Sequence, residues 1–274
     1  MNGAEMDDAV QRSAALIRSR CAGLQPEVAV LLGSGWGPLA HCVQDAITLP
    51  YADLPAFPRP GVEGHAGWLL LGRIGTRAVA VLSGRQHTYE NGDPAAMKGA
   101  LRTLALVGTR VLVQTNAAGS LDARMRPGEL MLIADHLNMV QRTPLLHEQG
   151  APRFVDLRDA YDPLLRDKAK QVAHARGVTL HEGIYAWMLG PQFETPAEIR
   201  MLQQLGAQAV GMSTVPETIV ARQQGMRVLA LSLLTNMGCG LDDEHLSHAH
   251  TLAAAQAASG SAVPLLEAVI AALE

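Results

Sequence analysis

Eight apolar runs rich in Val, Leu and Ile recur along this chain, at 28–32, 68–71, 78–82, 111–114, 130–134, 184–189, 209–212 and 228–234. Their hydrophobicity is continuous rather than alternating, as expected of strands covered on both faces. Helix-period patterns lie between several of them, at 94–107, 163–176, 196–205 and 216–224, and a long Ala-rich one covers about 247–273. Strands and helices in this order bury their apolar surface as an α/β fold with a central mixed, mostly parallel sheet flanked by helices. No linker, repeat or charge block divides the chain, so residues 1–274 are expected to form a single domain.

Bulk properties narrow the function classes. The formal net charge is -4 and Lys and Arg form no cluster, so no nucleic-acid partner is expected and an anionic ligand must be held by local donors. No apolar run approaches the roughly 20 residues of a membrane span, so no membrane partner is expected. Residues 1–20, carrying Glu5, Asp7 and Asp8, read as an amphipathic helix rather than a secretion signal. Cys21, Cys42 and Cys239 are odd in number and far apart, which suits neither a disulfide framework nor a zinc knuckle, and a reducing cytoplasm fits. The Pro- and Gly-rich stretch 50–67 and the stretch 141–161 are the long irregular segments, of the kind used as lids or interface arms.

Between Gly190 and Glu217 the chain twice runs from an apolar stretch through a polar turn into a helix with proline in its first turn. Thr195 with Glu198, and Thr214 with Glu217, have the spacing of capping boxes. Capping leaves Phe193, Glu194, Met212 and Ser213 unexplained: an aromatic face, a carboxylate, a thioether and a hydroxyl, all just before helix starts. In open α/β sheets such positions at the carboxyl ends of strands bind ligands, so the chain reads as a small-molecule enzyme.

Other segments offer matching chemistry. Gly33-Ser34-Gly35-Trp36-Gly37 follows the first strand, where backbone amides and the Ser34 hydroxyl can converge on an anion, although the same composition also makes a plain tight turn. Arg85, His87 and Tyr89 alternate and share one side if their segment stays extended; a solvated loop is the competing reading. Asn116, Ala117, Ala118 and Gly119 permit close approach to backbone, yet Asn116 is also a turn former. Asn236, after Thr235, can donate and accept at a heterocycle edge, and Asn also commonly ends strands. His245, His248 and His250 cannot share one helical face, so no metal site is expected; Ser247 is placed to cap the last helix, and one of these histidines can face a pocket.

In order and content these segments resemble the trimeric-type purine nucleoside phosphorylases, a family that includes the methylthioadenosine phosphorylases. The matching segments are Gly33-Ser34-Gly35, Gly64-His65-Ala66-Gly67, Gly84-Arg85-x-His87-x-Tyr89-Glu90, Thr115-Asn116-Ala117-Ala118-Gly119, Pro191-x-Phe193-Glu194-Thr195, Gly211 to Glu217, Thr235-Asn236 and Ser247-His248. The family usually has Gly directly after Tyr-Glu, where this chain has Asn91-Gly92, and a second Gly where Ser120 stands.

The resemblance implies phosphorolysis of inosine, guanosine and their deoxy forms to free base and pentose 1-phosphate, as a step of purine salvage. Inorganic phosphate would be a co-substrate and no cofactor would be needed. By similarity, phosphate would be held by Ser34, Arg85, His87, Ser213 and the amide of Ala117, with His65 near its loop. Tyr89 and Met212 would flank the ribose, with Asn116 beside them in the nucleoside site. Phe193 would stack on the purine, Glu194 would accept from N1-H, and Asn236, supported by Thr235, would bond N7 and O6. Asn236, Glu194 and His87 would then be the catalytic groups. His248, chosen over His250 for its preceding Ser, would meet the 5'-hydroxyl, and Phe154 would complete the site of a neighbouring subunit in a homotrimer.

Glu194 as a carboxylate matches N1-H of a 6-oxopurine, whereas N1 of adenine is an acceptor and would repel it. The competing readings are a methylthioadenosine or methylthioinosine phosphorylase and, from another class, a purine-binding protein without turnover.

Overall fold

The computed structural model describes residues 3–21, 23–59, 67–150 and 153–273. In chain order the strands are β1 (Val28–Leu31), β2 (Gln44–Pro50), β3 (Trp68–Ile74), β4 (Arg77–Ser83), β5 (Val111–Ser120), β6 (Leu130–Asn138), β7 (Leu180–Trp187), β8 (Ala209–Gly211) and β9 (Arg227–Met237). The helices are α1 (Gly3–Arg20), the single turn α2 (Thr88–Asn91), α3 (Lys98–Leu106), α4 (Pro163–Ala175), α5 (Pro196–Gln204), α6 (Val215–Gln223) and α7 (His248–Ala272).

Continuous apolar runs became strands buried on both faces. In β1, Val28 and Val30 join one core while Ala29 and Leu31 join the other, and β4 divides the same way, with Val79 and Val81 against Ala80 and Leu82. One core lies under α1, α3 and α6, the other under α4 and α7. The sheet runs β2-β3-β4-β1-β5-β8-β7-β6-β9, and β9 also pairs with β5, so five strands close a ring. It is mixed: β1–β4, β1–β5, β5–β9, β6–β7 and β7–β8 are parallel, whereas β2–β3, β3–β4, β5–β8 and β6–β9 are antiparallel.

Three expectations need correction. β2 was not anticipated, because as an edge strand it is mostly exposed and carries Gln44, Asp45 and Thr48. Asn116, open to reading as a turn former, lies in a segment, 115–120, that continues β5, because β9 on one side and β8 on the other take its backbone hydrogen bonds. The final helix, finally, does have the length and mean hydropathy of a membrane span. Here α7 packs a face of Ala255, Ala262, Leu265, Leu266, Val269 and Ile270 into the core instead.

The two proline-start helices differ at their caps. Thr195 accepts from the Glu198 amide, while Glu198 reaches back to the Thr195 amide at 2.7 Å, closing a capping box. Thr195→Ala is therefore expected to cost about 1 kcal/mol of stability, read by urea unfolding. Thr214 and Glu217 form no such box. Thr214 sits at φ 77° with no side-chain cap, a conformation costly for a β-branched residue.

Candidate active site

The carboxyl ends of β1, β4, β8 and β9, together with the middle of β5, open onto one cavity of about 340 Å³. At β1 the chain turns sharply through the glycine loop. A Cβ on Gly33 would lie 2.5 Å from the Thr115 carbonyl oxygen, and Gly35, at φ 84°, would bring one within 2.5 Å of the Ala255 methyl. The loop is pinned to β5 by the Gly33 amide donating to Thr115 Oγ1 (3.0 Å) and by the buried Trp36 indole donating to the Asn116 carbonyl (3.0 Å). Ser34 thereby lines the cavity wall along with Asn116 and Ala117.

Arg85 follows β4 and is fully buried. Its Nη2 donates to the carbonyls of Thr115 and Leu31, and its Nη1 stands 3.7 Å from Glu217 Oε1. The segment does not stay extended: Thr88 begins a helical turn, and Tyr89 stacks on His87, with ring centroids 4.8 Å apart and planes 13° apart. All three side chains still line the cavity. Glu90 Oε1 takes the His87 amide at 2.5 Å and lies 3.2 Å from its Nδ1, which fixes the imidazole's orientation. Burial pushes the Tyr89 hydroxyl up to about 12, with Glu90 adding to the rise and Arg85 opposing it, so it meets a ligand as a neutral phenol.

Thr214, in its strained conformation, turns Oγ1 away from the helix it precedes. That oxygen accepts from Asn116 Nδ2 at 2.9 Å and lies 3.1 Å from Ser213 Oγ, while the Ser213 amide donates to the Tyr185 hydroxyl at 3.3 Å. Ser34, Arg85, Asn116 and Ser213 line this donor-rich pole of the cavity. Asn116 is a mid-strand residue here, not a turn.

The other pole is built by a bulge. Ala118 pairs with Leu234, but Gly119 pairs with Asn236, leaving Thr235 as the extra residue of β9. Successive strand side chains normally face opposite sides; the bulge lets Thr235 and Asn236 both line the cavity. Thr235 donates to Asn236 Oδ1 (2.9 Å), and Asn236 Nδ2 donates to the Met237 carbonyl (2.8 Å). Glu194 is buried, and its Oε1 has no hydrogen-bond partner among the described residues. Burial raises its carboxyl above the ordinary range, a bond from its own amide opposes this, and Glu198 adds to the rise. Along β5 the poles are three residues apart, from Asn116 to Gly119, or roughly 10 Å of strand.

Of the residues singled out from sequence, Ser34, Arg85, His87, Tyr89, Asn116, Ala117, Phe193, Glu194, Met212, Ser213, Thr235, Asn236 and His248 all line this cavity. His250 does not; its Nε2 lies 3.4 Å from Glu244. Ser247 caps α7 by accepting from the His250 amide. Phe154 lies outside the cavity and is 77% exposed, with the Arg153 guanidinium 4.8 Å from its ring centre. His65 lies outside the described residues. Among those residues no group of His, Cys, Asp and Glu could hold a metal ion. Sequence reading missed Thr251 and Leu246 in the lining, although Thr251 stands one helical turn beyond His248, a spacing that could have found it. It also missed Glu217, which carried only a capping role.

A family model described as the phosphorylase superfamily matches residues 27–271. Purine nucleoside phosphorylase of Mycobacterium tuberculosis is 47% identical over 266 residues, covering 97% of this chain and 96% of that protein. Purine nucleoside phosphorylase 1 of Bacillus subtilis is 38% identical over 272 residues, covering 98% and 100%. Among solved structures, Schistosoma mansoni purine nucleoside phosphorylase in complex with inosine superposes with a TM-score of 0.90 at 34% identity, over 97% of each chain.

Proposed function

Since the chain belongs to the phosphorylase superfamily, among its purine nucleoside phosphorylases, we propose that it cleaves the N-glycosidic bond of purine nucleosides with inorganic phosphate, releasing free base and pentose 1-phosphate. One observation carries this reading. A single cavity has an anion-suited pole, with Ser34, Arg85 and Ser213, on one side and a base-suited pole, with Glu194 and Asn236, on the other.

Breaking the bond loads positive charge on the sugar and negative charge on the leaving purine. Catalysis therefore needs an anion fixed beside the anomeric carbon and donors at the base. Phosphate held by Ser34, Arg85, His87, Ser213 and the Ala117 amide supplies the first, stabilising the sugar cation and then capturing it. Asn236 supplies the second by donating to the N7 and O6 edge. Phe193 covers the purine face, Tyr89, Met212 and Asn116 border the ribose, and His248 meets the 5'-hydroxyl. Holding both reactants in register contributes several kcal/mol more. No side-chain nucleophile and no cofactor enters this scheme.

The substrates are 6-oxopurine nucleosides, inosine and guanosine, because ionised Glu194 accepts from their N1-H and would face a lone pair on adenine. A polar His248 favours the unmodified 5'-hydroxyl over a methylthio group. The chain works in purine salvage in the cytoplasm as a homotrimer, in which the exposed Phe154 would close a neighbour's cavity.

The test is hypoxanthine release from inosine with and without phosphate. Release that requires phosphate and yields ribose 1-phosphate in equal amount is expected. Release in phosphate-free buffer would indicate hydrolysis, and binding without release would indicate a sensor. Sedimentation of the purified protein tests the trimer.

A further inference from the structure

Glu217 carries a charge into the interior without doing the work its sequence position suggests. It stands in the first turn of α6, three residues after Thr214, yet no capping box forms there. Its side chain turns inward, is only 5% exposed, and places Oε1 3.7 Å from Arg85 Nη1. Its Oε2 is buried with no hydrogen-bond partner among the described residues. A carboxylate with an unsatisfied oxygen in the interior is costly. Two features offset the cost: the amino end of a helix favours negative charge, and Arg85 supplies the opposite one.

We propose that Glu217 is a positioning residue for phosphorolysis, acting through Arg85 to temper how tightly the anion pole holds phosphate. The inference rests on the assignment of phosphate to the pole formed by Ser34, Arg85 and Ser213. The pair formed by Arg85 and Glu217 has no net charge, so an arriving phosphate meets oriented hydroxyls, amides and a partly compensated guanidinium rather than a bare buried cation. A bare cation would bind the ground-state dianion more strongly. Binding of that kind lowers the phosphate KM without helping the chemical step, because it must be given up as the anion transfers charge to the sugar. Arg85 does not depend on Glu217 to stay in place. Its Nη2 is held by the carbonyls of Thr115 and Leu31, and the side chain is fully buried. Removing the carboxylate's charge therefore changes the field in the pole more than its geometry.

The experiment compares phosphate kinetics and phosphate-dependent melting in the wild type, Glu217→Gln and Glu217→Asp. Glu217→Gln keeps the shape and removes the charge. It is expected to lower the phosphate KM by about fivefold to tenfold and to lower kcat, while phosphate raises its melting temperature by more than it raises that of the wild type. Glu217→Asp withdraws the same charge by one methylene and is expected to lower the phosphate KM by about twofold, which keeps the test open if the Gln variant does not fold. A residue that merely supported the fold would give the opposite pattern, with the phosphate KM raised in both. An unchanged or raised phosphate KM in the folded variants overturns the role of Glu217. A wild type that shows no phosphate dependence overturns instead the assignment of phosphate to this pole.

Discussion

Arg85→Ala is expected to reduce kcat/KM for phosphate by about 10² to 10⁴, with the KM for inosine at saturating phosphate changing far less. The side chain is fully buried and lines the cavity together with Ser34 and Ser213. Hydrogen bonds to a charged group contribute about 1.5 to 3 kcal/mol each, and two lost to one anion account for that range. A second effect accompanies the first. Glu217, 3.7 Å from Arg85, would be left as an uncompensated buried charge, which costs about 3 to 5 kcal/mol of stability. The double variant Arg85→Ala with Glu217→Gln separates the two, since it should regain stability while phosphate binding stays lost. Arg85→Lys should not restore activity: an ammonium cannot hold the Thr115 and Leu31 carbonyls and a phosphate in the same plane. Initial rates against phosphate concentration, with urea unfolding of each variant, check all three. An unaltered phosphate dependence in Arg85→Ala would remove the residue from the site.

The same arginine shows where sequence stops being informative. The types and order of the cavity residues could be read because each sits just past an apolar run, and apolar runs that are continuous mark strands covered on both faces, as in β1, β4 and β9. What could not be read depended on a neighbour far along the chain. Thr195 with Glu198 and Thr214 with Glu217 are indistinguishable as local patterns, and both precede or begin a proline-start helix. Only the first caps, because the second faces Arg85 and Asn116, which draw its carboxylate and its hydroxyl into the anion pole. Thr115 to Ser120 has the composition of a turn and is nonetheless strand, since β8 and β9 flank it. The bulge at Thr235 is likewise a property of the pairing with β5, and it decides that two adjacent side chains reach one cavity. Closure of five strands into a ring follows from the same non-local pairings. β2, exposed along most of an edge and burying only Leu49, carries too short an apolar signal to mark a strand.

Asn236→Asp is expected to shift the ratio of adenosine to inosine kcat/KM toward adenosine by about 10². Asn236 can offer a donor to the N7 and O6 edge of a 6-oxopurine; aspartate offers only acceptors, which repel O6 and accept from the 6-amino group of adenine. The local bonds constrain how it does so. The Thr235 hydroxyl, 2.9 Å from Oδ1, can still donate to the new carboxylate, but the oxygen replacing Nδ2 would lie 2.8 Å from the Met237 carbonyl. That repulsion turns the carboxylate toward the cavity and costs about 1 to 2 kcal/mol of stability, measurable by unfolding. Asn236→Ala is the control: it should lower both activities and move their ratio toward adenosine by less than Asn236→Asp does, since it removes the donor to O6 without supplying an acceptor for the 6-amino group. Glu194 sets the pH dependence. Ionised, it repels N1 of adenine; protonated, it donates to N1. Because burial raises its pKa, the protonated form gains population as pH falls through that raised value, so the adenosine to inosine ratio should climb toward acid in the wild type and in Asn236→Asp alike. Glu194→Gln, whose amide can donate or accept at every pH, should flatten the climb. Taking the ratio cancels the titration of phosphate, which both nucleosides share, so a ratio independent of pH would place Glu194 away from N1. An unshifted ratio in Asn236→Asp would do the same for residue 236 and the six-position, because no other described change at that pole exchanges a donor for an acceptor.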